Sequence, residues 1–442
     1  MSFYCAELPY QSDAARFYAA IADLPWVIWL DSCGMSRYDI LSAAPQHTIL
    51  LDEASTSGDP FALVRCALGE QIAPIADVPF AGGALGYWSY DLARRMYALP
   101  NIAQAGGLLP DMAIGIYDWA VVLDHYQQTA RLVSHQRFAE TAELLSQVLE
   151  RLQSNLQLPH DTFSVQGNIS TNFTTGSYAA AFEVVQDYLK SGDCYQVNLA
   201  QRFSAAATGD AFGAYLTLRS LSPAPYSAFL NLPQAQILCA SPERFLRVQN
   251  KNVETKPIKG TRPRSSDAHQ DNRLAEELHS HPKDRAENLM IVDLLRSDLG
   301  KSCAPGSLHV DKLFEVESFA SVHHLVSTVE GTLEEGRDAL DVLRDCFPGG
   351  SVTGAPKLRA MQIIEQLEPH RRGIYCGAIG YIGFDGNMDT NIAIRTMVYS
   401  DNEMHCWAGG GIVADSDVAA EYQETLDKAT GMLKMLQQYG GE

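Results

Sequence analysis

A chain of 442 residues, 46% hydrophobic and 19% charged, is longer than one ordinary domain and apolar enough to bury a large core, which excludes intrinsic disorder. Its net charge of −20 excludes nucleic acid or an anionic membrane as the main partner. An anionic substrate would need local cations, or a metal ion, to reverse that field.

Residues 1–10 lack the basic and apolar regions of a signal peptide, and the apolar stretch 24–30 is too short to span a bilayer. The nine cysteines include no C-x-x-C pair and match no zinc or disulfide framework, which points to a reduced cytoplasm. Residues 13–22 read as a short helix stopped by Pro25, and 26–30 as a buried strand. Residues 80–90 (F-A-G-G-A-L-G-Y-W-S-Y) set glycines among aromatics, the mark of close backbone approach in a sheet. Residues 113–124 fit a pair of buried strands, and 136–152 have helical periodicity. No catalytic constellation occurs in this part. The stretch 154–175, rich in Asn, Ser, Thr and Gln, is the expected linker between an N-terminal region (1–160) and a larger domain (175–442).

Beyond it, 178–190 reads as a helix ended by Gly192. Residues 194–203 alternate as a strand that puts Gln196, Asn198 and Ala200 on one face. Gln196 is then either a positioned amide or an ordinary solvent-side residue. Residues 237–248 and 253–258 read as a hairpin, followed by K-P-I-K-G-T-R-P-R (256–264). There Pro257 and Pro263 exclude a regular helix or central strand, and Gly260 lets the backbone turn or be closely approached. Lys259 is either a solvated loop lysine or a desolvated nucleophile. Hairpin register bears on that choice. A three-residue loop (250–252) sets Glu243 opposite Lys259, whereas a four-residue loop turns Lys259 to the other face. Asn tolerates the left-handed backbone such loops require, so the expected register brings the acid to the lysine.

Residues 281–297 form a helix with Asp284 and Glu287 on one face, a spacing that helix-dipole complementation also explains. Residues 418–437 form another, with Glu421, Glu424 and Lys428 on one stripe that also reads as a surface charge ladder. The glycine-rich segments 347–357 and 408–414 expose backbone N–H groups suited to a carboxylate or phosphate. Neither follows a Rossmann or P-loop spacing, so a small carboxylated ligand fits better than a nucleotide.

The order of G-D-C-Y-Q-V-N-L (192–199), S-P-E-R-F (241–245), P-I-K-G-T-R-P-R (257–264) and D-R-A-E-N-L-M-I-V-D-L (284–294) resembles the chorismate-utilising enzyme family. H-L-V-S-T (324–328), P-G-G-S-V-T-G-A-P-K (348–357), I-R-T (394–396), A-G-G-G-I-V-A-D-S (408–416) and Y-Q-E-T-L-D-K (422–428) continue the match. The resemblance implies an α+β fold of two large, mostly antiparallel sheets packed face to face with helices outside, built jointly by the two parts of the chain. Members forming anthranilate carry P-I-A-G-T, with alanine at the position of Lys259. The lysine is similar to the nucleophile of members that aminate chorismate at C4, on the route to para-aminobenzoate. By the same resemblance Glu243 is the general acid, and Glu287 and Glu424 hold Mg2+. Gln196 stands where isochorismate- and salicylate-forming members carry a water-activating lysine. Tyr375, Arg395, Lys428 and the Gly409, Gly410 and Gly411 cradle match substrate-carboxylate contacts. His324 lies beside the ring, and Ser351 and Thr353 fall within the pocket. Ser32, Tyr38, Pro225, Tyr226 and Ser227 match a pocket that holds tryptophan in the family. No G-x-C-x-G glutaminase elbow is present, so the resemblance implies ammonia from a separate glutamine amidotransferase subunit.

Overall fold

Alternating apolar strands assemble into two sheets of 12 and 10 strands in a computed structural model. It describes residues 3–53, 55, 58–105, 109–154, 157–319 and 322–440. The expected fold is the one found: antiparallel ladders in two sheets, face to face, with helices outside. Side-chain alternation explains the layering. In the strand Val27–Asp31, Ile28 points into the core between the sheets, while Trp29 points into a second core under the outer helices. Leu230 and Phe229 divide in the same way on the neighbouring strand Tyr226–Leu232.

Residues 1–160 and 175–442 contribute strands to both sheets. Val27–Asp31 pairs with Tyr226–Leu232 in one, and Gly83–Trp88 pairs with Ala378–Gly383 in the other. The stretch expected to be a linker carries a strand, Ser164–Thr171, laid against Gln196–Thr208. The apolar run 237–248 is not one strand. Ala235–Ser241 belongs to the 12-stranded sheet and Arg244–Gln249 to the 10-stranded sheet. The chain crosses between sheets at Pro242 and Glu243, because proline cannot continue a ladder.

The hairpin register differs from the expected one. Val248 pairs with Val253 and Gln249 with Asn252. Asn250 and Lys251, at φ 51 and 69, close a two-residue turn whose backbone matches strand twist. On an ideal ladder this register turns Lys259 away from Glu243. The ladders are irregular at both ends of that path, however, with register shifts between Arg244 and Leu246 and between Ile258 and Thr261, so ideal alternation does not govern either side chain. Both side chains reach Ser351.

Candidate active site

Glu243 occupies the crossing between sheets, 6% exposed, where backbone from both layers closes around it. Its carboxyl accepts from the Ser351 hydroxyl at 2.9 Å. The Ser351 carbonyl accepts from the Lys259 ammonium at 3.1 Å. Ser351 thus clamps acid and lysine to one short turn, Gly350–Val352. Burial pushes the Glu243 carboxyl above the usual range, against the opposing charge of Lys259. Burial also lowers the Lys259 amine, with the Lys428 charge adding to the effect and Glu287 opposing it. Gly260, at φ 84, is pressed so closely by Asp284 and Leu278 that a Cβ would lie 2.9 Å from each. The glycine is required there both by its backbone and by its neighbours.

Glu287 and Glu424 come from different helices, Pro282–Leu299 and Val418–Tyr439, and act on each other electrostatically across the site. Burial raises Glu287. Burial also raises Glu424, but the Lys428 ammonium at 2.6 Å, with Lys259 and Lys283, more than offsets this and leaves it lowered. Glu421, one turn before Glu424, faces the same space, and its buried Oε2 has no hydrogen-bond partner among the described residues. A Cβ on Gly410 would lie 2.9 Å from that oxygen and 3.3 Å from Glu424 Oε1. Carboxylate oxygens from two helices, one orphaned and buried, thus border a space kept open by a glycine, although no three acidic, His or Cys side chains among the described residues stand close enough together to enclose a metal ion.

The cradle lies on the strand Glu403–Ile412. Its neighbour Thr396–Ser400 ends its pairing at Cys406, so Gly409 to Gly411 lose a ladder partner on that edge. Lys428 donates to the Gly409 carbonyl there at 3.0 Å. A strand residue's N–H points the same way as its C=O, so the Gly409 amide faces the open edge. On the other edge Gly411 pairs with Asn198, and a Cβ on Gly411 would lie 2.8 Å from the Gln196 amide nitrogen. Gln196 is fully buried, and neither of its amide atoms is hydrogen-bonded among the described residues. Of its two sequence readings, the positioned amide is the one this geometry matches.

Arg395 has a half-buried guanidinium without an ion pair among the described residues. Burial lowers its pKa, and Tyr375 opposes that shift. His324 accepts or donates at Thr261 Oγ1 at 2.9 Å. Burial holds its imidazole down at about 4, helped by the Arg395 charge, so it stays neutral. Thr353 spends its hydroxyl on the Gly349 carbonyl at 3.1 Å. Two features went unread in the sequence. Glu421 looked like part of a surface stripe, although the buried spacing of its helix marks it. Arg372, in a run of charged residues (H-R-R-G), gave no sign of being buried.

Hydrogen bonds and electrostatic contacts link Lys259, Glu243, Ser351, Glu287, Glu424 and Lys428 in one site, and comparisons with known proteins give the family. A model of the chorismate binding enzymes matches residues 26–434. The chain is 47% identical to aminodeoxychorismate synthase component 1 of Escherichia coli strain K12, over 97% of this chain and 98% of that protein. The chain belongs to the chorismate-binding enzymes. It is 42% identical to anthranilate synthase component 1 of Thermus thermophilus, over 81% of this chain and 78% of that one. The crystal structure of anthranilate synthase component I from Streptococcus pneumoniae superposes with a TM-score of 0.81 at 34% identity, covering 90% of this chain and 92% of that one.

This chorismate-binding enzyme has a second cavity, about 670 Å³, between the sheets. Tyr38, Pro225, Tyr226 and Ser227 line it. Ser32 does not; its hydroxyl and amide both donate to Asp39 Oδ1, at 2.6 and 2.7 Å. The cavity's size is that of an ordinary small-ligand site.

Proposed function

We propose that this enzyme converts chorismate and ammonia to 4-amino-4-deoxychorismate, with Lys259 as covalent nucleophile. One observation carries the reading: a lysine with a lowered pKa shares a serine clamp with a buried acid of raised pKa. Relatives named aminodeoxychorismate synthase component 1 support it.

The neutral Lys259 amine forms a bond to C2, the conjugated double bonds shift, and the C4 hydroxyl leaves as water with the proton of Glu243. The proton on the new secondary amine returns to Glu243. Ammonia then bonds to C4, the double bonds shift back, and Lys259 is expelled as the neutral amine with the proton of Glu243, which takes a proton back from the new ammonium at C4. Two displacements place the amino group where the hydroxyl stood and replace one hard allylic step with two easier ones. Glu287 and Glu424, with Glu421 behind them, would hold Mg2+, whose charge would attract the ring carboxylate. Arg395 and Tyr375 hold the second carboxylate, and Lys428 and the glycine cradle hold the first. Gln196 stands where a lysine would activate water, and its amide cannot take up a proton. Ammonia comes from a glutamine amidotransferase partner, and tryptophan is the occupant proposed for the second cavity.

Relatives named anthranilate synthase component 1 supply the second reading, which Lys259 disfavours. Product analysis with chorismate, Mg2+ and ammonium salt separates the two. Aminodeoxychorismate is expected. Anthranilate with pyruvate, or no turnover at all, overturns the proposal.

A further inference from the structure

Arg372 is 1% exposed, and its guanidinium is committed on every side to groups that form the active site. Nε and Nη2 make a bidentate pair with Glu368 at 2.9 and 2.7 Å. Nη1 donates to the Val352 carbonyl at 2.9 Å. Nη2 also reaches the Asn198 carbonyl at 2.8 Å and its side-chain oxygen at 3.3 Å. The planar group lies over the Tyr90 ring at 4.9 Å and the Tyr375 ring at 5.5 Å.

Each of these partners bears on the reacting groups. Val352 follows Ser351, the residue that clamps Lys259 and Glu243. The Asn198 amide donates to the Thr353 carbonyl at 2.9 Å, and its side-chain oxygen lies 2.8 Å from where a Gly409 Cβ would be. Glu368 accepts from the Ala200 amide at 2.9 Å, and Ala200 is the ladder partner of Gly409. The clamp, the cradle and a substrate-facing ring therefore meet on a single side chain.

Stability alone gives little reason for this choice. A buried ion pair is often no better than apolar side chains of the same volume. A guanidinium differs from such filler in presenting donors in a fixed plane and at fixed angles. We propose that Arg372 is a positioning residue, which sets the Lys259–Glu243 clamp at the correct distance from the Gly409–Gly411 cradle. The inference rests on the function proposed above.

Two variants test it. Arg372→Lys keeps the charge beside Glu368 but loses the fork; Arg372→Met with Glu368→Leu removes the pair and keeps the volume. For each, kcat and KM for chorismate are measured with saturating ammonia and Mg2+, beside the cooperativity of thermal unfolding. The pH midpoint for labelling of Lys259 by trinitrobenzenesulfonate is read by mass spectrometry, independently of turnover. Misplacing reacting groups by about 1 Å costs roughly 10²-fold. The expected result is a loss of kcat of that order in a cooperatively folded variant, a smaller change in KM and a displaced labelling midpoint. A kcat within about threefold of the parent, by the same scale, with an unmoved midpoint, overturns the proposal. So does failure of both variants to fold, because the pair would then be structural. A displaced midpoint in a parent enzyme that does not turn over chorismate supports the positioning role and sinks the functional reading instead.

Discussion

Lys259 attacks only as the neutral amine, and Glu243 donates only as the neutral acid, so the reactive state has both groups uncharged. In water that state would be a minor tautomer of the ion pair. Burial lowers the lysine and raises the glutamate, and both shifts favour the uncharged pair in a dry site. Because the two interact, their limbs belong to the pair. The acid limb of kcat/KM reports the first proton lost by the pair and the basic limb the second. Burial draws the two limbs toward each other, because it lowers the lysine and raises the glutamate. Glu243→Gln keeps the contact with Ser351 but has no proton to give. It is expected to lose roughly 10² to 10⁴ in rate and the basic limb with it; a preserved limb in the pH profile would reassign the acid. The types and order of these residues were legible in the motifs. Their common approach to Ser351 was not, because it runs through two register shifts that leave no mark in composition. Arg372 was hidden for a different reason: a charged run reads as surface until the partners that neutralise it are known.

At the scale of elements, glycine spacing was the clearest signal. The segment 80–90 was read as a site of close backbone approach. Gly86 indeed lies directly opposite Gly380 on the pairing between Gly83–Trp88 and Ala378–Gly383. A Cβ on Gly86, at φ 157, would sit 2.1 Å from the Ala113 carbonyl oxygen, which is backbone and cannot swing aside. Gly86→Ala is therefore expected to destabilise the protein by about 3 kcal/mol, at the upper end for overpacking. Urea unfolding monitored by tryptophan fluorescence measures it, and a loss below about 1 kcal/mol, the lower end of that range, would show that the strand yields. The helices expected at 13–22, 178–190, 281–297 and 418–437 lie within three residues of those ends because their apolar spacing repeats, whereas those at 60–68, 212–221, 268–280, 339–346 and 357–367 had no sequence reading. The split of 237–248 between sheets was missed because Pro242 is its only break, and a single proline marks an edge as readily as a crossing.

At the scale of the molecule, residues 1–160 supply one whole flank of each sheet, five strands of the 12-stranded sheet and three of the 10-stranded one. Without them the edges of Tyr226–Leu232 and Ala378–Gly383 would be left unpaired, over a core shared by residues of both parts. Long, apolar open edges associate with other chains. A chain reduced to 175–442 is expected to aggregate or to unfold without a cooperative transition, as light scattering and calorimetry would show. A monomeric fragment with a sharp transition would instead mean that the second part carries its own core. The sharing of both sheets also explains why a division at 154–175 is attractive in the sequence: polar composition reports local solvent exposure and says nothing about which strands pair.

The bulge between Arg244 and Leu246 has a consequence for how this chain can vary in length. Side chains on a strand follow an odd–even rule, so the meeting of acid and lysine is a matter of parity summed along the path from Glu243 to Lys259. On a stretch paired as a regular ladder, a single-residue insertion or deletion changes the sum and turns one of the two groups toward the opposite face, unless a further bulge absorbs it. Adding two residues at the Asn250–Lys251 turn leaves the sum unchanged. Length changes in this hairpin should therefore be tolerated in pairs.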